Sequence, residues 1–393
     1  MNKPALLLPS FAALVLAGCT GETSSGAESA EAIPASAPDE AVDTAGQYKL
    51  TAIAEGFDQP WGILGMPDDD QSFLISERDG RINRVGLDGT VTPISGGPEA
   101  FVANQGGYFG LVADPDFANN RTIYLSYAKG DDDANATAIF KAELSEDGTA
   151  LLNGEDIYQA DLRDTAYHFG GRLQFLPDGT LVAGLGDGFR YMQDAQSTDN
   201  THGTLIRINS DGSIPADNPL VGVEGAAEEV YSWGHRNIQG LLFDSETGAL
   251  FAHEHGPKGG DELNVIEAGK NYGWPTITYG VNYDGTVITE LTAAEGLEQP
   301  ATKWVPSIAP SGMMRYTGDK YPDWTGDLLI GAMNGPAGQK LVSLDMDGTS
   351  VVSETHYLTD VALPIRDLVQ GPDGFVYVIT QEYGGGLFRV DPA

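Results

Sequence analysis

Short apolar runs separated by acidic, Pro/Gly-rich turns recur along the chain from Tyr48 onward. The phrases begin at Met66 (MPDDDQSFLISERDGRINRV), Asp114 (DPDFANNRTIYLSYA), Leu176 (LPDGTLVAGLGDG), Phe243 (FDSETGALFAHEHG), Tyr321 (YPDWTGDLLIGAMNG) and Gly371 (GPDGFVYVITQEYGGGLFRV). In each, a polar turn leads into four to six β-prone residues and then a second turn, which is the signature of strand–turn–strand units. A spacing of roughly 50 to 80 residues is wide for a solenoid and suits propeller blades with long insertions. No sustained helical periodicity is present. The pattern predicts an all-β fold, a six-bladed β-propeller of four-stranded antiparallel blades over residues 48–393. A pair of β-sandwiches is the alternative arrangement of the same strands. The strand near Tyr48–Ala54 is expected to complete the last blade, closing the ring.

The segment before this pattern is different. MNKPALLLPSFAALVLAGCT has a positive residue, Lys3, then an apolar run from Ala5 to Leu16 that is short for a membrane span and fits a signal peptide. It ends in Leu16-Ala17-Gly18-Cys19, similar to a bacterial lipoprotein box. This implies a signal peptide over 1–18, a lipidated Cys19 and anchoring at the periplasmic side of the outer membrane. Residues 19–47, rich in Ser, Ala, Glu and Pro, are expected to form an acidic tether.

Composition narrows the function. A formal net charge of −36 over 393 residues repels nucleic acid and anionic lipid and suits divalent cations and neutral substrates. Contact with membrane is therefore expected only through the N-terminal lipid, and the domain is expected to be a monomer. Cys19 is the only cysteine, so the mature domain has neither an internal disulfide nor a cysteine metal site.

Five polar, glycine-rich phrases stand beside the strand-like runs, where propeller loops converge. They are Asn104-Gln105-Gly106-Gly107; Tyr167–Asp187, with His168 against Gly170-Gly171; Gly234-His235-Arg236-Asn237; His253–Glu262 followed by Asn271-Tyr272-Gly273-Trp274; and Trp304–Gly312. Taken alone, His168 is more readily a loop histidine than a base. Glu262 is a surface carboxylate or a calcium ligand, and Trp274 and Tyr283 are core aromatics or ligand contacts. The His253-Glu254-His255 run lacks the i, i+4 spacing of a helical zinc site, and its turn carbonyls and Glu262 suit calcium better.

The phrases HFGGRL, GHRN, EHGP, GGDELN, NYGWP, IAPSG and the final IRDL/GPDG/VYV run occur in the order found in the soluble aldose sugar dehydrogenases of the glucose/sorbosone dehydrogenase family, which this chain resembles from about Gly56 to Asp391. The resemblance implies a calcium-containing propeller that uses pyrroloquinoline quinone (PQQ) to oxidise aldoses to lactones and passes electrons to an acceptor the sequence does not name. It implies His168 as general base, Asp187 as its carboxylate partner, and Arg236 and Asn237 at the quinone. Gln105, Tyr283, Ala332, Asn334, Pro364 and Arg366 are the further cofactor positions. Carbonyls of Gly256 and Pro257 would hold a calcium shared with PQQ, and Glu262 with Tyr272 a structural one. The chain departs from the family pattern at two places: Asn334 stands where a lysine is usual, and Pro364 where an arginine is usual. A tricarboxylate cofactor would lose two cations there, with Lys340 or Lys258 as possible substitutes. Two other functions remain compatible: a lipid-anchored calcium-binding propeller without redox chemistry, and a calcium-dependent lactone hydrolase.

Overall fold

The computed structural model describes residues 41–68 and 71–393. The signal peptide, Cys19 and most of the expected tether lie outside the described residues. Apart from two one-turn helices, Phe117–Asn120 and Gly335–Gly338, and two 3-10 turns, the described elements are strands.

Six antiparallel sheets follow one another along the chain. The innermost strands are Pro60–Gly65, Tyr108–Ala113, Leu173–Phe175, Ile238–Phe243, Pro310–Arg315 and Ile365–Gln370, and each packs on the next in a closed ring. This is the six-bladed propeller, and the sandwich alternative is excluded. The sixth blade takes its outer strand from the start of the domain: Tyr48–Asp58 pairs antiparallel with Tyr383–Pro392, matching Tyr48 to Pro392 and Leu50 to Val390. Within the expected tether, Val42–Asp43 adds a short parallel strand to the outer edge of the fifth blade, at Thr355 and His356.

The inner strands approach closely enough to dictate their residues. A Cβ on Gly62 would lie 2.8 Å from the Phe109 carbonyl oxygen, and one on Gly110 would lie 2.7 Å from that of Gly171, so only glycine fits at these contacts. Hydroxyls then stitch neighbouring blades: Ser76 donates to Phe109 O, Ser126 to Gly171 O and Ser311 to Arg366 O. The core lies in apolar layers between blades. One of them joins Tyr48, Tyr321, Trp324 and Tyr357 of the fifth and sixth blades, with Tyr321 and Trp324 stacked at 4.3 Å. Near the axis Arg172 pairs with Asp367 at 2.6 Å and covers the Trp61 ring at 4.3 Å.

Because strands alternate in direction, two kinds of connection share one end of the propeller: the segment entering a blade's first strand, and the turn between its second and third strands. Gln105, His168, Arg236-Asn237 and Pro364 are of the first kind. Asp187, Gly256-Pro257 and Asn334 are of the second. A long insertion, residues 267–301, reaches the same end through the Tyr272 N–H bond to Trp233 O and the Trp274 N–H bond to Gly234 O.

Candidate active site

Two adjacent hollows occupy that end. The outer is an open cleft of about 380 Å3 lined by His168, Asp187, Phe189, Met192, Arg236, Pro257, Trp274 and Tyr283 among others. The inner is a smaller cavity of about 160 Å3 in the mouth of the central channel. Gln105, Asn237, Gln239, His255, Met333, Arg78 and Arg366 line it, with Trp61, Phe109 and Phe169. His168 and Arg236 line the first, and their near neighbours Gly170 and Asn237 line the second, so the two share a wall.

The His168 ring is fixed by its surroundings. Its backbone is left-handed, with φ of 51°, and its N–H donates to Gln105 Oε1 at 2.8 Å. Nδ1 meets Asp187 Oδ1 at 2.6 Å. Asp187 Oδ2 accepts from Trp274 Nε1 at 2.8 Å and Oδ1 from the Phe189 N–H at 2.8 Å. With Nδ1–H donated to the carboxylate, Nε2 keeps the lone pair and is the nitrogen available to the cleft. Burial, aided by the Arg236 charge, holds His168 below the usual histidine value against the pull of Asp187. Burial pushes Asp187 the other way, but the His168 hydrogen bond and the Arg236 charge keep it low and ionised. The pair is therefore a neutral imidazole beside a carboxylate, the resting state a general base requires.

Behind this pair lies the buried Arg163. Its Nη1 donates to the carbonyls of His168 at 3.0 Å and Gly186 at 3.3 Å. Its cation covers the Phe169 ring at 4.3 Å, and burial pulls it down to about 10. Nothing in the sequence pattern singles Arg163 out.

Arg236 donates from Nη1 to the carbonyls of His255 at 2.9 Å and Gly256 at 2.7 Å, and its backbone N–H donates to Glu254 Oε2 at 2.5 Å. Asn237 Oδ1 accepts from Gly170 N–H at 3.1 Å, fixing the wall between the two hollows. The IAPSG run supports the site from behind. Buried Asp261 accepts from Ser307 Oγ and from the N–H groups of Ile308, Ala309 and Gly256, which pins the Gly256 turn.

The sequence placed Trp274 and Tyr283 as core aromatics or ligand contacts. Trp274 is buried and serves the site through Asp187. Tyr283 is 63% exposed at the cleft rim, with its hydroxyl 3.5 Å from Arg236 Nη2, so it does not belong to the core. Ala332, Asn334 and Pro364 line neither hollow; Asn334 is exposed and donates to Ser307 O at 2.6 Å, and Pro364 O accepts from Gln381 N–H. Met333, between the two expected contacts, faces the inner cavity instead. Lys340 does not substitute for a missing cation there, because its Nζ lies 3.2 Å from His356 Nδ1 on the outer part of the fifth blade. The cation the sequence reading missed is Arg78. It sits in the first blade's turn between second and third strands, the same kind of turn that carries Asp187, and that regularity was the available signal.

The residues present fit the implied cofactors. The inner cavity offers two guanidiniums, side-chain amides and no carboxylate, which suits a polyanion. Arg366 is 4% exposed and its Nε has no hydrogen-bond partner. For a cation, Glu254, Glu262, Tyr272, Gly256 and Gly260 surround a space of about 10 Å3 beneath Arg236. Asn264 Nδ2 reaches Glu254 Oε1 at 3.2 Å and Glu262 Oε2 at 3.4 Å, so the two carboxylates face one another across one amide. Burial, then the Glu254 charge, pushes Glu262 up to about 8. One buried and one half-buried carboxylate with nearby carbonyls form a hard oxygen set suited to calcium. No group of three or more His, Cys, Asp or Glu side chains converges among the described residues, so an ion here would rely on carbonyl oxygens too.

The sequence model of the family described as Glucose / Sorbosone dehydrogenase matches residues 57–389. The aldose sugar dehydrogenase YliI of Escherichia coli (strain K12) is 39% identical over 349 residues, covering 87% of this chain and 92% of its own. The crystal structure of the soluble aldose sugar dehydrogenase from Escherichia coli in its apo form superposes with a TM-score of 0.84 at 36% identity, over 88% of this chain and all of the other. The PQQ-bound form of an aldose sugar dehydrogenase from Streptomyces coelicolor superposes with a TM-score of 0.73 at 25% identity, over 88% of this chain and 97% of the other.

Proposed function

The chain belongs to the glucose / sorbosone dehydrogenase family, and from that premise we propose that it is a PQQ- and calcium-dependent dehydrogenase that oxidises aldoses to lactones. The observation that carries this reading is the His168–Asp187–Trp274 chain at the wall of an open cleft, back to back with a cavity lined by two guanidiniums and no carboxylate. When bound, PQQ supplies a two-electron acceptor for the hydride of the sugar's anomeric carbon, and calcium supplies the charge that polarises its quinone.

The chain's own residues do the rest. His168 Nε2 takes the proton of the anomeric hydroxyl, and Asp187 stabilises the imidazolium that results. Trp274 Nε1 and the Phe189 N–H hold Asp187 so that its Oδ1 stays on Nδ1. Arg236 and Asn237 stand at the quinone end, with Arg236 placed to stabilise developing negative charge. Arg366 would meet a cofactor carboxylate. Glu262, with Glu254 beside it, and the Tyr272 carbonyl would hold a structural calcium, and the Gly256 and Pro257 carbonyls would hold the one that acts with PQQ. A hydride and a proton leave the sugar; the electrons then pass to an acceptor outside the chain.

The test is a spectral titration of the purified protein with PQQ in calcium buffer, followed by dye reduction with a panel of aldoses. Saturable binding with aldose-dependent reduction supports the reading. No binding at micromolar PQQ sinks it and favours a propeller that keeps calcium without redox chemistry. Export, lipidation of Cys19, a periplasm-facing outer-membrane anchor and a monomeric domain complete the proposal. Cys19→Ala should move the protein from the membrane to the soluble fraction, and a variant that stays with the membrane would refute the anchor.

A further inference from the structure

We propose that Arg78 is a cofactor-binding residue, a second cation that receives a PQQ carboxylate beside Arg366. This deepens the functional reading above and rests on it.

The inference starts from charge. The protein carries a formal net charge of −36, yet its inner cavity is lined by Arg78 and Arg366 and by no Asp or Glu. Two guanidiniums around one small hollow repel each other, and such a site gains most from an anion between them. The Arg366 cation already shows the strain: burial, then the charges of Arg172 and Arg78, hold it well below the usual guanidinium range. Arg172 is matched by Asp367, whereas Arg366 makes no ion pair among the described residues. Its Nη2 donates to Gln239 Oε1 at 2.9 Å, its Nη1 points at Met333 Sδ at 3.7 Å, and its face lies on Trp61 at 4.1 Å.

Arg78 enters the same cavity from the first blade. It is half-buried, and it donates to Gln59 Oε1 at 2.6 Å and to the carbonyls of Asn104 and Gly106. These bonds orient the guanidinium. The Asn104–Gly106 segment also carries Gln105, whose Oε1 holds the His168 N–H. The Arg78 turn is thus braced against the loop that positions the base. Phe109 and Phe169 add flat apolar walls to the same cavity. Cations at the edges and aromatic walls are the recognition pattern for a planar aromatic polycarboxylate. Arg78 therefore restores one of the positive charges that Asn334 and Pro364 fail to supply.

The experiment is PQQ titration of the full chain in calcium buffer, read as a dissociation constant, with Arg78→Gln, Arg78→Lys and wild type in parallel. The loss of one charge-assisted contact should raise the dissociation constant of Arg78→Gln by roughly ten- to a hundredfold, with partial recovery in Arg78→Lys. Arg78→Gln should also flatten the salt dependence of binding. If wild type binds PQQ and Arg78→Gln, folded by its melting curve, binds equally well, the assignment is overturned while the dehydrogenase reading stands. If wild type fails to bind, both fall. Wild-type protein gives a check that no folding defect can confound. Saturating PQQ should protect Arg78 from an arginine-directed dicarbonyl reagent, read by peptide mass spectrometry. Equal modification with and without PQQ would overturn the proposal.

Discussion

The outer cleft and the inner cavity sit a few residues apart and are opposites. Around His168 the ring and its carboxylate have their partners: Nδ1 has Asp187, Asp187 has Trp274 and Phe189, and the backbone has Gln105, while Arg163 behind them keeps Nε and Nη2 unpaired. Around Arg366 the lining charges are of one sign, and its buried Nε has no acceptor. In the first region the protein itself holds the histidine–carboxylate pair, as the proposed base requires. The second leaves two guanidiniums together, with the Arg366 Nε unpaired. Buried groups that perform chemistry are held rigid by their neighbours, whereas buried groups that grip a ligand are left short of partners, which favours the bound state.

The sharpest way to break this comparison is His168→Gln. Loss of a general base should lower kcat by about a hundred- to ten-thousandfold while leaving the PQQ dissociation constant within a few-fold of wild type. Turnover that survives the substitution would mean that the base lies elsewhere.

Next in size is a matched pair. Arg366→Met should weaken PQQ by roughly ten- to a hundredfold, yet the apo protein should melt no lower than wild type, because the residue removed is a buried cation without a carboxylate. Asp187→Asn should do the reverse. It strips a satisfied network, at a cost of about 1–3 kcal/mol, and so should lower the apo melting temperature as well as kcat. Apo melting curves that shift equally in the two variants would dissolve the contrast.

A smaller effect concerns Glu262. Calcium should raise the melting temperature of the wild type, and a chelator should reverse it. Glu262→Gln should abolish the calcium response and leave the apo protein at least as stable, since one of two facing carboxylates is gone. A full calcium response in the variant would place the ion away from this pair.

The smallest is a pH shift. His168 in the fold lies below its usual value of 6.5, so the rate should hold above that value and fall as pH drops through the lower, folded one. The linked stability follows the same sign: the unfolded chain takes up this proton first, so stability declines as pH falls below 6.5. The Arg163 charge helps to keep His168 low. Arg163→Met should therefore move the acid limb of kcat/KM upward, measurable in a pH–rate profile. An unmoved limb would reduce Arg163 to a packing role.

Most of the architecture was legible in the chain. Six turn–strand phrases correspond to six blades, and the apolar strand at Tyr48 found its place in the last of them because period-two runs leave few alternatives once blades repeat. His168 and Asp187 were legible because one short hairpin separates them. Their third partner was not: Trp274 reaches Asp187 only because residues 267–301 depart from the regular blade connection and cross to the other end. Glu254 was hidden because it reads as an alternating strand residue, and its tie to Glu262 exists only across the strand pair. Ala332 and Asn334 were expected at the cofactor by position, but of that segment it is Met333 that lines the inner cavity; Pro364, at the entry to the sixth blade, lines neither hollow. Arg78 was passed over because its phrase looked like an ordinary acidic turn.

The pairing of residue 48 with residue 392 also has a consequence for synthesis. The strand at Tyr48 is made before the other strands of its blade, and its edge stays unpaired until Tyr383–Pro392 has been made. Topologies of such high contact order fold slowly and as a unit. A chain cut short in the sixth blade would lack a weld rather than one blade, and its open ring would present unpaired edges on both sides of the gap. For this protein, the ring closes only once the strand Tyr383–Pro392 has been made.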